Sequence, residues 1–256
     1  MITAMPMRRL LFTGGCAAVL AVTLAAASPT PAGSVAAQGG QPPVLKVPAV
    51  QDFAVTGRGD NPAWGPVPWT TLNARNGMTG APATRIKVAY SESGIYVFMD
   101  AADRLVTATY EEDFSDLWKE DVFEAFLWPD ERDTIYFEYE MSPLGRELPI
   151  LIPNLDGRFL GWRPWHYGGD RRVRHQTSIV GGPKQSGAKI EGWRAEIMIP
   201  FAVLSPLRNV PATGGSRWRA NFYRVDYDGG QPVQWDWARV GRSFHEFRSF
   251  GTLEFQ

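Results

Sequence analysis

The segment Asp121-Val122-Phe123-Glu124-Ala125-Phe126-Leu127-Trp128 sets one carboxylate inside an apolar run of strand length. Alternation along a strand puts Glu124 on the face of Val122, Phe126 and Trp128, so it is either paired in a core or turned toward a site. Thr134 to Met141 repeats the pattern, with Ile135, Phe137, Tyr139 and Met141 on one face and Tyr136, Glu138 and Glu140 on the other. Carboxylates beside aromatic rings suit a ligand with apolar faces and donor hydroxyls, as sugars have. A solvated sheet face with cross-strand pairs has the same composition. Other chemistries are poorly provided for. The chain has no glycine-rich phosphate loop, no Gly-x-Ser-x-Gly elbow and no His-Glu-x-x-His. Its one cysteine is Cys16, and His166, His175 and His245 lack metal-ligand spacing, so no thiol nucleophile or transition-metal site is expected.

Composition says what kind of elements must hold these residues. The 256 residues carry 26 Lys+Arg against 27 Asp+Glu, a net charge of -1, which leaves no basic field to hold nucleic acid. Apolar residues at 44% and charged residues at 21% are ordinary for a globular chain. Ten Trp, eight Tyr and fourteen Phe, set among 26 Gly and 20 Pro, point to short strands joined by frequent turns. The fold class expected is all-β.

Arg8 and Arg9 precede an apolar stretch from Leu10 to Ala27 and then small residues up to Ala37, the order of a secretory signal. Thr13, Gly14, Gly15 and Thr23 interrupt the stretch, which argues against a membrane anchor, and Thr13 argues against lipidation at Cys16. Residues 1–37 are therefore read as a signal peptide and 38–46, rich in Gly, Gln and Pro, as a flexible tether. Residues 47–256 are read as one cysteine-free domain of secreted or periplasmic protein, without stable membrane insertion. Strands are expected at Thr84–Tyr90 and Ile95–Met99, joined as a hairpin through Ser93-Gly94. Others fall at Asp121–Trp128, Thr134–Met141, Arg172–Val180, Gly192–Ile199, Trp218–Tyr227 and Gly251–Phe255. Helix is hinted only at Phe114–Lys119 and Pro200–Leu204, so an antiparallel sandwich is favoured over a parallel α/β sheet.

Six stretches, in order, resemble carbohydrate-binding module family 9 and its exported relatives. They are Asp60-Asn61-Pro62-Ala63-Trp64, Gly94-Ile95-Tyr96-Val97-Phe98, the segment Leu117 to Phe126, Glu140 to Gly145, Gly192 to Pro200, and Phe250 to Phe255. The segment from Leu117 to Phe126 is similar to the family's Trp-x-x-Asp-x-x-Glu-x-Phe and is the most specific of the six. The resemblance implies a jelly-roll-like antiparallel β-sandwich, structural calcium, and a sugar gripped between two Trp rings. On the family pattern the first ring falls on Trp118 and the sugar-binding carboxylate on Glu124. The second ring falls on Phe244, and a sugar-binding Arg falls on Glu140, which replaces a donor by an acceptor. Arg219, Arg224 and Arg239 are candidates for a replacement donor.

The reading that follows is an exported, non-catalytic carbohydrate-binding module, taking polysaccharide or oligosaccharide by aromatic stacking and carboxylate hydrogen bonds in support of carbohydrate catabolism. No second region of domain size remains for a hydrolase. Two other readings stand beside it. One is a haem-binding redox module of the DOMON-like type, with Met78, Met99, Met141 and Met198 as the candidate ligands. The other is a glycoside hydrolase drawing a carboxylate pair from Glu124, Glu140 and Asp226.

Overall fold

The structure, a computed structural model, describes residues 41–155 and 158–256. The signal segment 1–37, Cys16 and the first part of the tether lie outside the described residues.

Among the described residues there are fourteen strands: β1 (Val44–Val47), β2 (Thr70–Ala74), β3 (Thr84–Tyr90), β4 (Gly94–Ala102), β5 (Val122–Trp128), β6 (Ile135–Met141) and β7 (Glu147–Leu155). They continue as β8 (Arg158–Phe159), β9 (Arg163–Pro164), β10 (Arg174–Val180), β11 (Gly192–Pro200), β12 (Arg217–Asp226), β13 (Val233–Asp236) and β14 (Gly251–Phe255). The α-helix among the described residues is the single turn Phe201–Leu204. Every expected strand is present, β3 and β4 pair as the expected hairpin with Tyr90 opposite Ile95, and the helical hint at Phe114–Lys119 shrinks to a 3-10 turn over Leu117–Lys119. Strands β2, β7 and β13 carry weaker alternation and were not expected. Ordered structure also begins earlier than the tether reading allows, because Val44–Val47 pairs in parallel with β14.

The strand order β10-β11-β4-β3-β2 continues through β13 into β12-β5-β6-β7, so one sheet folds over into two packed layers. Alternation decides what each layer buries. Ile86 and Val88 of β3, Val97 and Met99 of β4 and Ile197 of β11 meet Phe123 and Leu127 of β5, Phe137 of β6 and Phe222 of β12 in one apolar cluster. Each large side chain fully buried there stabilises the fold by about 1.5–3 kcal/mol. The result is an antiparallel β-sandwich.

The outward face of β5 and β6 is where sequence left two readings open. It is not solvated. Phe126, Trp128 and Tyr136 pack with Leu148, Ile150 and Ile152 of β7, Tyr223 and Val225 of β12, and with Leu117, Val240, Phe247 and Phe250 from the covering segments. All seven residues of β5 are consequently buried, in place of the half-buried alternation of an exposed sheet face. The same layer leaves a cavity over the carboxylates.

Candidate functional site

The row of partners across the sheet fixes which side chains share this face. Tyr223 stands opposite Glu124, Glu124 opposite Glu140, and Glu140 opposite Leu148, while Phe126 stands opposite Glu138. Side chains directly opposite on neighbouring strands lie ~4.5–5.5 Å apart at Cβ. Three glutamates are thus forced into one patch, and burial is nearly complete: 2% exposure for Glu124, 3% for Glu138 and 1% for Glu140.

Above them opens a cavity of about 720 Å³. Trp118, Glu124, Glu140 and Phe244 all line it, so the four residues singled out from sequence come together. Trp118 sits in the 3-10 turn Leu117–Lys119 with its indole 44% exposed, and Tyr227 Oη donates to its carbonyl oxygen at 3.2 Å. Phe244 is less free than an opposing wall needs to be. Its ring stacks on Tyr223 with centroids 4.0 Å apart, and the Arg75 guanidinium lies 5.1 Å from its centroid.

Two aromatic residues that sequence did not single out also line the cavity, Phe159 and Trp162. Phe159 ends β8 and Trp162 lies in the short link from β8 to β9, where Gly161 takes φ 91°, a left-handed conformation that glycine adopts without a Cβ clash. Phe159 stacks on His245 at 4.1 Å, and both aromatics stay exposed, Phe159 at 44% and Trp162 at 38%. The signal for them was the Phe-Leu-Gly-Trp stretch itself, large aromatics in a short, turn-marked segment without the alternation of a long strand.

The electrostatics of the patch are one-sided. Burial, and then the neighbouring Glu140 charge, hold Glu124 well above the usual carboxylate range. Glu138 is held high for the same reasons. Burial pushes Glu140 up to about 8 against hydrogen bonds from Glu138 and the Trp118 backbone. The second oxygens, Glu138 Oε2 and Glu140 Oε2, are buried without a hydrogen-bond partner. His245 offers no balancing charge, since burial lowers it to about 4 while its Nδ1 lies 2.7 Å from Tyr136 Oη.

The replacement donors expected at Arg219, Arg224 and Arg239 do not line this cavity; Arg242 does. Arg219 donates to the carbonyl of Phe250 instead, and Arg239 lies 3.9 Å from Asp236. Arg224 is on the other face of β12 from Val225, where its Nη2 donates to Asp103 and Asp226 at 2.9 Å each. Asp226 therefore cannot pair with Glu124 or Glu140 across a glycosidic bond, and the hydrolase reading loses its third carboxylate. Met99, Met141 and Met198 are fully buried in the apolar clusters and Met78 is exposed elsewhere, so none of the candidate haem ligands faces the cavity.

A sequence profile described as carbohydrate-binding family 9 matches residues 67–255. The chain belongs to carbohydrate-binding family 9. The family 9 fold is matched by a solved structure described as a carbohydrate-binding protein from Bacteroides uniformis, with TM-score 0.68 and 20% identity over 84% of this chain and all of that one. It is matched also by a family 9 module from Caldicellulosiruptor kristjanssonii in complex with cellotriose, with TM-score 0.59 and 14% identity over 83% of this chain and 93% of that one. An "Extracellular protein" of Arthroderma benhamiae is 27% identical over 150 residues, which are 56% of this chain. The chain spans 64% of that relative's length.

A second acidic cluster lies apart from the cavity. Carboxylate oxygens of Asp103, Asp226 and Asp228 fall within 4.8 Å of one another. The acidic span from Asp100 to Asp121 supplies Asp103, but Asp226 ends β12 and Asp228 lies in the turn just after it. All-oxygen donors suit a hard cation such as calcium, and Asp228 Oδ1 is buried without a partner, so the donor set fits one.

Proposed function

We propose that this protein is an exported, non-catalytic module that binds the end of an oligosaccharide or polysaccharide in the cavity over β5 and β6. The observation that supports this most is the exposed indole of Trp118 set over buried glutamates in a cavity of about 720 Å³, within the size range of small-molecule sites. Trp118 and Trp162 offer ring faces for the C–H face of a sugar, and Glu124 and Glu140 accept from its hydroxyls. Phe244, held against Tyr223, closes the wall behind them. Calcium at Asp103, Asp226 and Asp228 has a structural role in this reading.

Stacking is worth about 1 kcal/mol by analogy with aromatic pairs, and leaving a buried polar group without its partner costs about 1–3 kcal/mol. Titration of Trp118→Ala and Glu124→Gln with the glycan that an array selects should therefore show severalfold weaker binding, with Glu124→Gln the weaker of the two. The Trp118→Ala protein should melt with the parent because nearly half of that side chain is already in solvent. Parental affinity in both variants would sink the site assignment, and a blank glycan array would sink the function.

A further inference from the structure

We infer that the cavity selects a cationic amino sugar, with the ammonium of a glucosamine unit seated on the Glu138 and Glu140 carboxylates. The inference rests on the carbohydrate reading above and narrows its ligand. The starting point is the pair of orphaned oxygens. Glu138 Oε2 and Glu140 Oε2 are each buried without a hydrogen-bond partner, in residues 3% and 1% exposed, and both glutamates line the cavity. A buried carboxylate left so costs free energy until a donor and a counter-charge reach it.

The protein brings little of either. Of the described side chains lining the cavity, Arg242 is the one permanent cation, and it lies on the exposed rim. His245 Nδ1 is 3.8 Å from Glu138 Oε2, beyond hydrogen-bond reach, and burial keeps the ring neutral near pH 7. The missing donor and charge are therefore left for the ligand to supply.

A neutral hexose can offer one donor from each of two hydroxyls, but it brings no charge, so the two carboxyls stay in the uncharged form that burial favours. An ammonium presents three N–H donors and a full positive charge, enough for both orphaned oxygens at once. The walls suit the same group, because aromatic faces attract cations as well as stacking on sugar rings: the Lys119 ammonium already lies 4.9 Å from the Trp118 ring centroid, and Trp162 offers a further ring. A simple alkylamine would fill only part of a cavity this large, whereas Gln234 and Ser243 on its lining can serve the hydroxyls of a saccharide.

The test is calorimetric titration of the purified protein with three β-1,4 disaccharides that differ at one position: the glucosamine dimer, the N-acetylglucosamine dimer and cellobiose. At about pH 6.5 a sugar amine resembling an α-amino group, with a pKa of about 7.7–8.0, is protonated. The glucosamine dimer should bind at least about tenfold more tightly than either neutral partner. Glu138→Gln should shrink that preference at least about threefold while leaving cellobiose affinity near the parent's, and Glu140→Gln, whose carboxyl also takes sugar hydroxyls, should shrink the preference while weakening all three ligands. Both variants keep the side-chain shape and remove an acid whose charged form burial disfavours, so they should melt no lower than the parent. Equal or tighter binding of cellobiose or the acetylated dimer overturns the inference and leaves the carbohydrate reading standing. No binding of any of the three also overturns it, and the carbohydrate reading falls with it only if a glycan array is blank as well.

Discussion

Two clusters of buried acids, built from the same chemistry, are handled in opposite ways. In the cluster at the end of β12, Arg224 donates to Asp103 and Asp226 at 2.9 Å, and Arg104 lies 3.8 Å from Asp228. Asp121 beside them accepts from the backbone N–H groups of Tyr227 and Thr107. In the cavity, Glu124, Glu138 and Glu140 have no comparable cation among the described residues. A buried charge paired inside the protein serves the fold, and one left facing a cavity is available to whatever enters it. The contrast lets one cluster be read as structural and the other as a site, although both are acidic and buried.

The comparison breaks first at Arg224. Replacing it in Arg224→Met strands Asp103 and Asp226 without their partner, which costs about 3–5 kcal/mol. Thermal melting should show Tm falling on the order of 10 °C, and an unchanged melt would mean that the cluster does not depend on the guanidinium. Next comes calcium. Saturation at about a hundredfold excess over Kd stabilises by roughly 2.7 kcal/mol, so Tm should rise with calcium and drop with chelator, and Asp228→Asn should blunt the response. A melt indifferent to both would remove the metal from the structural cluster.

The cavity cluster should show itself through pH. Glu140 is raised to about 8 in the folded protein from an ordinary value of 4.5, so between those values the folded state holds a proton that the unfolded chain has released. Stability should therefore fall as pH rises through that window, by up to about 1.4 kcal/mol per pH unit for each such group, and level off above it. Glu140→Gln should flatten the slope without ligand present, and an unaltered slope would place the titration elsewhere. The smallest effect belongs to Phe244. Because Tyr223 already covers its ring, Phe244→Leu should weaken glycan binding by only about twofold, less than Trp162→Ala; the reverse order would restore Phe244 as the second wall.

Legibility in the sequence followed periodicity. Glu124 was placed on the right face because β5 and β6 alternate cleanly, and the same alternation put Glu138 and Glu140 together. Burial of that face could not be read, since it depends on segments more than a hundred residues away, around Val240 and Phe250, folding over it. Trp162 was missed because it belongs to a turn around Gly161, whose path no periodic pattern encodes. Asp103 follows β4 and Asp226 ends β12, and their meeting is set by strand order, which local alternation leaves open. Arg224 was misplaced because it was considered without its neighbour in the alternation: Val225 faces the cavity, so Arg224 faces away.

Strand β14 has β12 on one side and β1 on the other, and the β1 side is held by bonds such as Gln256 N–H to the Val47 carbonyl at 3.0 Å and Thr252 N–H to the Pro43 carbonyl at 2.9 Å. Shortening the chain to start at Val47 would strip that cover and turn β14 into a bare edge, its N–H and C=O groups free to pair with another molecule. A preparation begun at Val47 should self-associate through β14, whereas one begun at Gln41 should remain dispersed.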